Sequence, residues 1–440
     1  MVKRQFKTTL FMTIIMLLGA LPTGAQEQPE VLTVDRMFAL LEENSSELRV
    51  AKSGVEVAEH GIAAAKSERL PDVNASLSLS YIGNVVMTDR DFDKWTAFSS
   101  PHVGNSFALE AQQMVYTGGA LTAGIQLAEI GKEQARTAVD ATRDGQRFMA
   151  MAQYLELMEA DNAIIVYERN IALTATLIDD IEAKRSQGMA LKNDITRYEL
   201  QMETLRLGLR RTKDSRDVLN HQLCNTLGLS SDIIIVPDTT LMSLAADDNR
   251  KAWQDKAASL SPELAMTELN IKASEQQLRL ARSEQMPKLF VYAADNFNGP
   301  YTFDIPPIDN NFNTWQIGVG VSYSLSSLFK ANKNVRKANA SIEESRLARS
   351  RTAIDIDNRM FEAHTLYLQA FEDLKTKCKN AQLARENYDV VNNRYLNDIA
   401  LITDMTDASN ILLSAELDET NARIQIVYAY YRMKYIAGDI

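Results

Sequence analysis

The chain has 440 residues, a formal net charge of −11, two cysteines and few glycines or prolines. That length allows two or three ordinary domains, but the wealth of Ala, Leu, Glu, Gln and Arg favours long helices over a compact α/β or all-β domain. The acidity argues against nucleic acid as a partner, and no metal-ligand spacing involves the cysteines.

Residues 1–25 read as an export signal. Lys3, Arg4 and Lys7 precede an apolar run from Leu10 to Leu18, and small residues precede a cleavage site after Ala25. Losing those three cations takes the net charge from −11 to −14. Cys224 and Cys378 then lie in an oxidising compartment, where a bridge is chemically possible, but they read as packed thiols. Beyond the signal no apolar run approaches the ~20 residues of a spanning helix, so a membrane crossing has to be a β-barrel.

The remainder is a duplication. An offset of 216 pairs Ser45 with Ser261, Glu68 with Glu284 and Pro71 with Pro287, and an offset of 210 pairs Ala190 with Ala400, Asp194 with Asp404 and Gly228 with Gly438. The spacing predicts repeat 1 over 26–228, a mixed connector over 229–260 and repeat 2 over 261–440.

In each repeat a helix (Thr33 to Leu70; Ser261 to Met286) runs into a proline, Pro71 or Pro287. Proline removes a helical donor and pushes the preceding residue out of the helical region, so both mark a helix-to-strand junction. Lys66, Arg69, Arg282 and Lys288 stand near these junctions, where basic side chains can meet anionic head groups. Period-two alternation follows in two predicted hairpins, about 72–116 and 288–325. It is clean from Val73 to Tyr81 and from Trp315 to Leu325. Four strands of roughly 9–11 residues have the length of tilted membrane strands. The segments 83–105 and 298–314 read as polar loops between them. Tyr81, Tyr116, Trp315 and Tyr323 flank the strands and suit a membrane aromatic belt.

Proline-free stretches from about Gly119 to Gln187 and Lys330 to Leu396 predict helices of ~100 Å. In the first, Leu157, Ile164, Ile171 and Ile178 recur every seven residues, with Ala160, Tyr167 and Ile181 in a second seam, as in a left-handed coiled coil. Both stretches reverse at short turns, "SQGMALKND" and "LNDIALITD", and two return helices end at Gly228 and Gly438.

Four amphipathic strands cannot close a barrel around a lumen, and an open sheet would leave two raw edges in lipid. The chain therefore has to oligomerise, with the long helices continuing the barrel as a coaxial tube. A coiled-coil envelope protein without a pore is the alternative, though it has no use for two duplicated hairpins.

The segments "LTVDRMFALLEENSSELRVA", the two Ser-Glu-x-x-Pro junctions, "MVYTGGALTAGI", "DIALITDMTDA" and "NARIQIVYAYYRMKYIAG" resemble the TolC family of outer-membrane efflux and secretion channels. The resemblance covers essentially all of 31–440. It implies a mostly α fold with a membrane β-barrel portion: a homotrimer with a twelve-stranded barrel in outer-membrane lipid and a periplasmic α-barrel. It further implies a passive duct of a Gram-negative cell, serving multidrug efflux or type I secretion. A periplasmic adaptor and an inner-membrane pump of RND or ABC type would open its tip.

On the same resemblance, Asp404 and Asp407 match the family's aspartates at the channel constriction, with Asp194 at the equivalent place in repeat 1. Aspartate is also favoured in the first turn of any helix. Gly188, Ala190 and Leu191, with Asp398, Ala400 and Leu401, resemble the adaptor-docking tip turns, although Asp398 replaces the family's usual glycine. The four histidines are scattered, no catalytic spacing is present, and neither an enzyme nor a cofactor is expected.

Overall fold

The computed structural model describes residues 29–238, 244–302, 304, 307–397 and 399–440. The expected export signal (1–25) and Asp398 lie outside them. No described helix is long and apolar enough to cross a membrane. The described residues pack as two compact units, one drawn from 29–49, 141–261 and 356–440 and one from 50–140 and 262–355. Each gathers segments from both sequence repeats.

In the first unit, β1 (Pro29–Leu32) pairs in parallel with β6 (Ile234–Pro237). Thr33 caps helix α1 (Val34–Asn44), its hydroxyl accepting from the Arg36 amide at 3.3 Å. Leu32, Met37 and Leu41 pack with Tyr154, Leu157, Leu223, Ile235 and Ile424 in one apolar cluster. Tyr154 is fully buried; its hydroxyl donates to the Leu32 carbonyl at 2.7 Å and accepts from the Asp238 amide at 2.6 Å. Burial pushes its phenol pKa up to about 12.

The helix expected from Thr33 to Leu70 is in fact two, α1 and α2 (Ser46–Ser67). Ser45 breaks it, because its hydroxyl accepts the Leu48 amide at 3.3 Å in place of a helical carbonyl. The second repeat breaks at the matching Ser261, between α5 (Arg250–Leu260) and α6 (Pro262–Ser283). The 229–260 connector thus contains a strand and a helix, α5 standing where α1 stands in repeat 1.

In the second unit, β2 (Asp72–Tyr81), β5 (Val103–Tyr116), β7 (Lys288–Gly299) and β8 (Phe312–Ser322) form one antiparallel sheet in the order β2-β5-β7-β8. Residues 83–105 are not simply a polar loop: β3 (Val85–Thr88) and β4 (Trp95–Phe98) extend it as a second hairpin. These four-residue strands are too short to announce themselves by alternation.

The long helices are α3 (Ala120–Ser186) and α7 (Ser327–Leu396), with α4 (Lys192–Leu227) and α8 (Ile402–Ala437) returning. In α3 Leu157, Ala160 and Ile181 of the expected seams are buried, but between Val166 and Ile181 the buried line is Val166, Asn170, Thr174, Leu177 and Ile181, with Ile164, Ile171 and Ile178 half-buried beside it. The seam therefore runs through two polar residues that apolar periodicity passes over. The Thr174 hydroxyl donates to the Asn170 carbonyl at 2.8 Å, while Asn170 meets Glu416 of α8, whose buried carboxylate accepts from Asn170 at 3.3 Å, Arg169 at 3.4 Å and Arg385 of α7 at 3.2 Å. Cys224 is buried and Cys378 half-buried, and no disulfide joins them.

Candidate channel wall and tip

Alternation along four strands gives the sheet two unlike faces. Val73, Leu77 and Tyr81 of β2 share a face with Phe107 and Leu109 of β5, Val291 of β7, and Trp315, Ile317, Val319 and Val321 of β8. Most of these apolar side chains are exposed: Leu77 at 72%, Trp315 at 74% and Val319 at 69%. The face holds a single acid, Asp295, which accepts from Asn313 at 2.9 Å. The opposite face carries Asn74, Ser76 and Ser78, with Glu110, Gln112 and Gln316. One dry exposed face and one polar face make up the alternation that strands of membrane barrels carry.

On the polar face the rings of Phe290 and Tyr292 lie over Gly320 and Gly318, their register partners on β8. A Cβ on Gly318 would stand 2.7 Å from the Tyr292 ring, and one on Gly320 2.3 Å from the Phe290 ring. Glycine is required here by close approach rather than by backbone shape. Alternation reads both simply as polar-face residues, so the cross-strand partners were not visible in sequence.

The sheet meets the helices at four handovers. Pro71 stands between the last turn of α2, closed by Leu70 N–H to Ser67 O at 2.8 Å, and the first residue of β2. Pro287 stands likewise between α6 and β7, with Met286 N–H to Ser283 O at 3.1 Å. At the β5 to α3 handover Gly118 has φ +66°, and a Cβ there would fall 2.6 Å from Met286 Cβ. Gly118 of "YTGGAL" thus lets two handovers touch.

The four belt candidates divide between the two ends of the sheet. Tyr81 is stacked on His102 at 5.2 Å and lies with Trp315 toward the loops. Tyr116, opposite Leu289, and Tyr323, just past β8, lie toward the helices. Eight residues separate Trp315 from Tyr323, about 27 Å along the strand or about 20 Å along the normal of a strand tilted by ~40°.

Both helical reversals lie in the first unit. Gly188 adopts φ +79°, and Met189 N–H donates to Lys184 O at 2.9 Å, ending α3 in a left-handed cap. The other turn closes with Ile399 N–H to Arg394 O at 2.8 Å. Met189, Leu191, Ile399 and Leu401 are exposed apolar residues, while Ala190 and Ala400 pack against the local core of Leu177, Tyr198, Tyr388, Met405 and Leu412. Burial pushes the Tyr198 phenol well above its usual range.

Asp194 and Asp404 do matching local work. The Leu191 amide donates to Asp194 Oδ2 at 3.0 Å and the Leu401 amide to Asp404 Oδ2 at 3.1 Å, so one oxygen of each satisfies the start of a return helix. Asp404 remains exposed, as does Asp407 one turn on, whereas Asp194 is half-buried. Two cross-links escaped the sequence reading. Lys184 of α3 donates to the carbonyls of Tyr395 and Leu396 at the end of α7, at 3.1 and 2.8 Å, and Gln201 of α4 bonds Asn410 of α8 at 2.8 Å. A basic residue in the last turn of a helix was the available signal for the first; nothing local announced its partner.

The outer membrane efflux protein family matches residues 38–204 and 253–439. Comparison with curated protein sequences finds no relative. Among solved structures, the outer membrane protein VceC of Vibrio cholerae superposes with a TM-score of 0.75 at 14% identity, over 92% of this chain and 96% of that one. The CmeC outer membrane channel of Campylobacter jejuni gives 0.71 at 14% identity, over 96% and 91%. The MtrE outer membrane channel of Neisseria gonorrhoeae, in its open state, gives 0.70 at 13%, over 92% and 88%. The fold is that of the TolC-like channels, and the chain belongs to the outer membrane efflux protein family.

Proposed function

We propose that three copies of this chain close into one passive export duct in the outer membrane of a Gram-negative cell, with a helical tunnel in the periplasm. The observation that carries this is the four-stranded sheet, apolar and exposed on one face, polar on the other, and, among the described residues, unpaired along the outer edges of β2 and β8. Joining β8 of one copy to β2 of the next, three times, removes every edge and gives twelve strands around a polar lumen.

The tip turns carry the partner contact in this reading. Exposed Leu191 and Leu401 suit a partner that covers them, and that partner is a periplasmic adaptor coupled to an inner-membrane pump. Asp407, with the free oxygens of Asp404 and Asp194, lines the constriction and favours cations by fixed charge. The test is ion selectivity of single channels in planar bilayers. Asp404→Ala with Asp407→Ala is expected to lower cation preference without lowering open-state conductance. Unchanged selectivity removes the aspartates from the constriction; absence of channels from the wild-type protein removes the duct.

A further inference from the structure

The fourth handover, from β8 into α7, differs from the other three. Leu325, Leu328 and Phe329 are 70%, 53% and 78% exposed where the apolar face of β8 ends. Four cations follow within eight residues: Lys330, Lys333, Arg336 and Lys337. On an α-helix Lys333 and Arg336 fall within about 40° of Phe329, with Lys330 and Lys337 together to one side. At ~1.5 Å per residue, Lys333 is about 6 Å and Lys337 about 12 Å beyond Phe329 along the axis.

Three features set this cluster apart. All four side chains are exposed, and among the described residues none makes an ion pair or side-chain hydrogen bond. Further along the same helix Arg349 pairs with Glu268 at 2.8 Å. The nearby Glu284 is bonded by Asn334 at 2.9 Å. Next, Lys330 stands in the first turn of a helix that carries no acid there, where the dipole opposes positive charge, so local stability argues against that cation. Lastly, the first repeat has nothing similar: the 210-residue offset aligns Ala120, Ala123, Gln126 and Leu127 with the four, and the first cation of α3 is Lys132, paired with Glu59 at 2.8 Å. Duplication alone does not explain the cluster.

We infer that the start of α7 docks on the anionic phospholipid surface of the periplasm-facing leaflet. This rests on the membrane-barrel reading above. Phe329 and Leu325 continue the apolar face of β8 to the acyl boundary, and the cations then occupy the next ~6–12 Å, the depth of the headgroup layer. Lysine and arginine stems run along that boundary while their charged ends reach phosphate. Each cation near such a surface enriches an anionic headgroup by about five-fold. A partner of this chemistry is favoured because the cationic cluster on a strongly acidic chain is continuous with its dry face.

The experiment places the full-length protein in bilayer discs of 30% phosphatidylglycerol and 70% phosphatidylethanolamine, extracts it gently and counts retained lipids by native mass spectrometry. Wild type is expected to retain phosphatidylglycerol several-fold above its share. With Lys330, Lys333, Arg336 and Lys337 all changed to Gln the preference should fall to about one. Changing the three lysines to Arg should keep it, and Lys375→Gln, an exposed site elsewhere on α7, should not alter it. Equal retention by wild type and the four-Gln variant overturns the inference and leaves the duct intact. So does dissociation of the four-Gln assembly in discs of phosphatidylethanolamine alone, because the cations would then serve a second copy of the chain. Wild-type protein that never enters the outer-membrane fraction overturns the duct itself.

Discussion

Glu416 offers a sharp test of how the helical part is held. Its carboxylate is 5% exposed and faces three donors on two other helices: Arg169 and Asn170 of α3 and Arg385 of α7. Glu416→Gln keeps the shape and one acceptor oxygen but removes the charge. A fully buried ion pair broken on one side costs ~3–5 kcal/mol, which overstates this case. The Arg169 and Arg385 side chains are 56% and 47% exposed and can turn to water. The three contacts, at 3.2–3.4 Å, are also long for charge-assisted bonds. The buried group left short is Asn170, which still donates to the Val166 carbonyl at 2.9 Å. Loss of the charge-assisted part of these bonds is then worth about 1.5 kcal/mol. That corresponds to roughly ten-fold faster opening of the α8 turns around Glu416. Amide hydrogen exchange over residues 412–420 reads this directly. For contrast, Lys213→Gln breaks a pair with Glu168 whose side chains are 48% and 52% exposed, and it should change exchange by less than two-fold. Equal, small effects at both sites would refute the reasoning, since burial would then confer nothing.

Three further outcomes follow from the same geometry. Gly318→Val places a Cβ 2.7 Å from the Tyr292 ring and should cost ~1–3 kcal/mol. The loss would be read as a lower dissociation temperature of the assembly on gels, and Tyr292→Ala in the same chain should recover most of it; no recovery would place the strain elsewhere. Tyr154→Phe leaves the Leu32 carbonyl and the Asp238 amide without their shared hydroxyl. It should lower stability by ~1–3 kcal/mol in a circular-dichroism melt, and an unchanged melt would mean water replaces the hydroxyl. Ser45→Ala removes the acceptor of the Leu48 amide and should raise exchange at residues 46–48 by a few-fold; unaltered exchange would show that the chain breaks there for another reason.

Much of this architecture was written locally. The prolines at 71 and 287, the period-two runs beside them and the proline-free stretches after them announced four strands and two long helices, because each signal acts within a few residues. The tip turns were legible for the same reason, Gly188 supplying the positive φ that ends α3. What stayed hidden involves partners distant in sequence. Ser45 looks like any small residue within a helical period until its hydroxyl is seen on the Leu48 amide, although its pairing with Ser261 was already present in the duplication. Gly318 and Gly320 gain meaning only beneath Tyr292 and Phe290 on another strand. Glu416 lies on the buried line of α8 with Met405, Ala408 and Leu412, so a charge at a core position was visible; its three donors on two helices were not. The site residues divide similarly: the backbone duty of Asp194 and Asp404 is local, whereas a constriction is a property of several chains.

The central claim is that the open edges β2 and β8 are closed by other copies of the same chain. The mass of the particle extracted from outer membranes in mild detergent tests it most directly. The account predicts three chains per particle, resistant to dissociation because each sheet edge is hydrogen-bonded to the next. A single chain recovered from the soluble periplasmic fraction would contradict it.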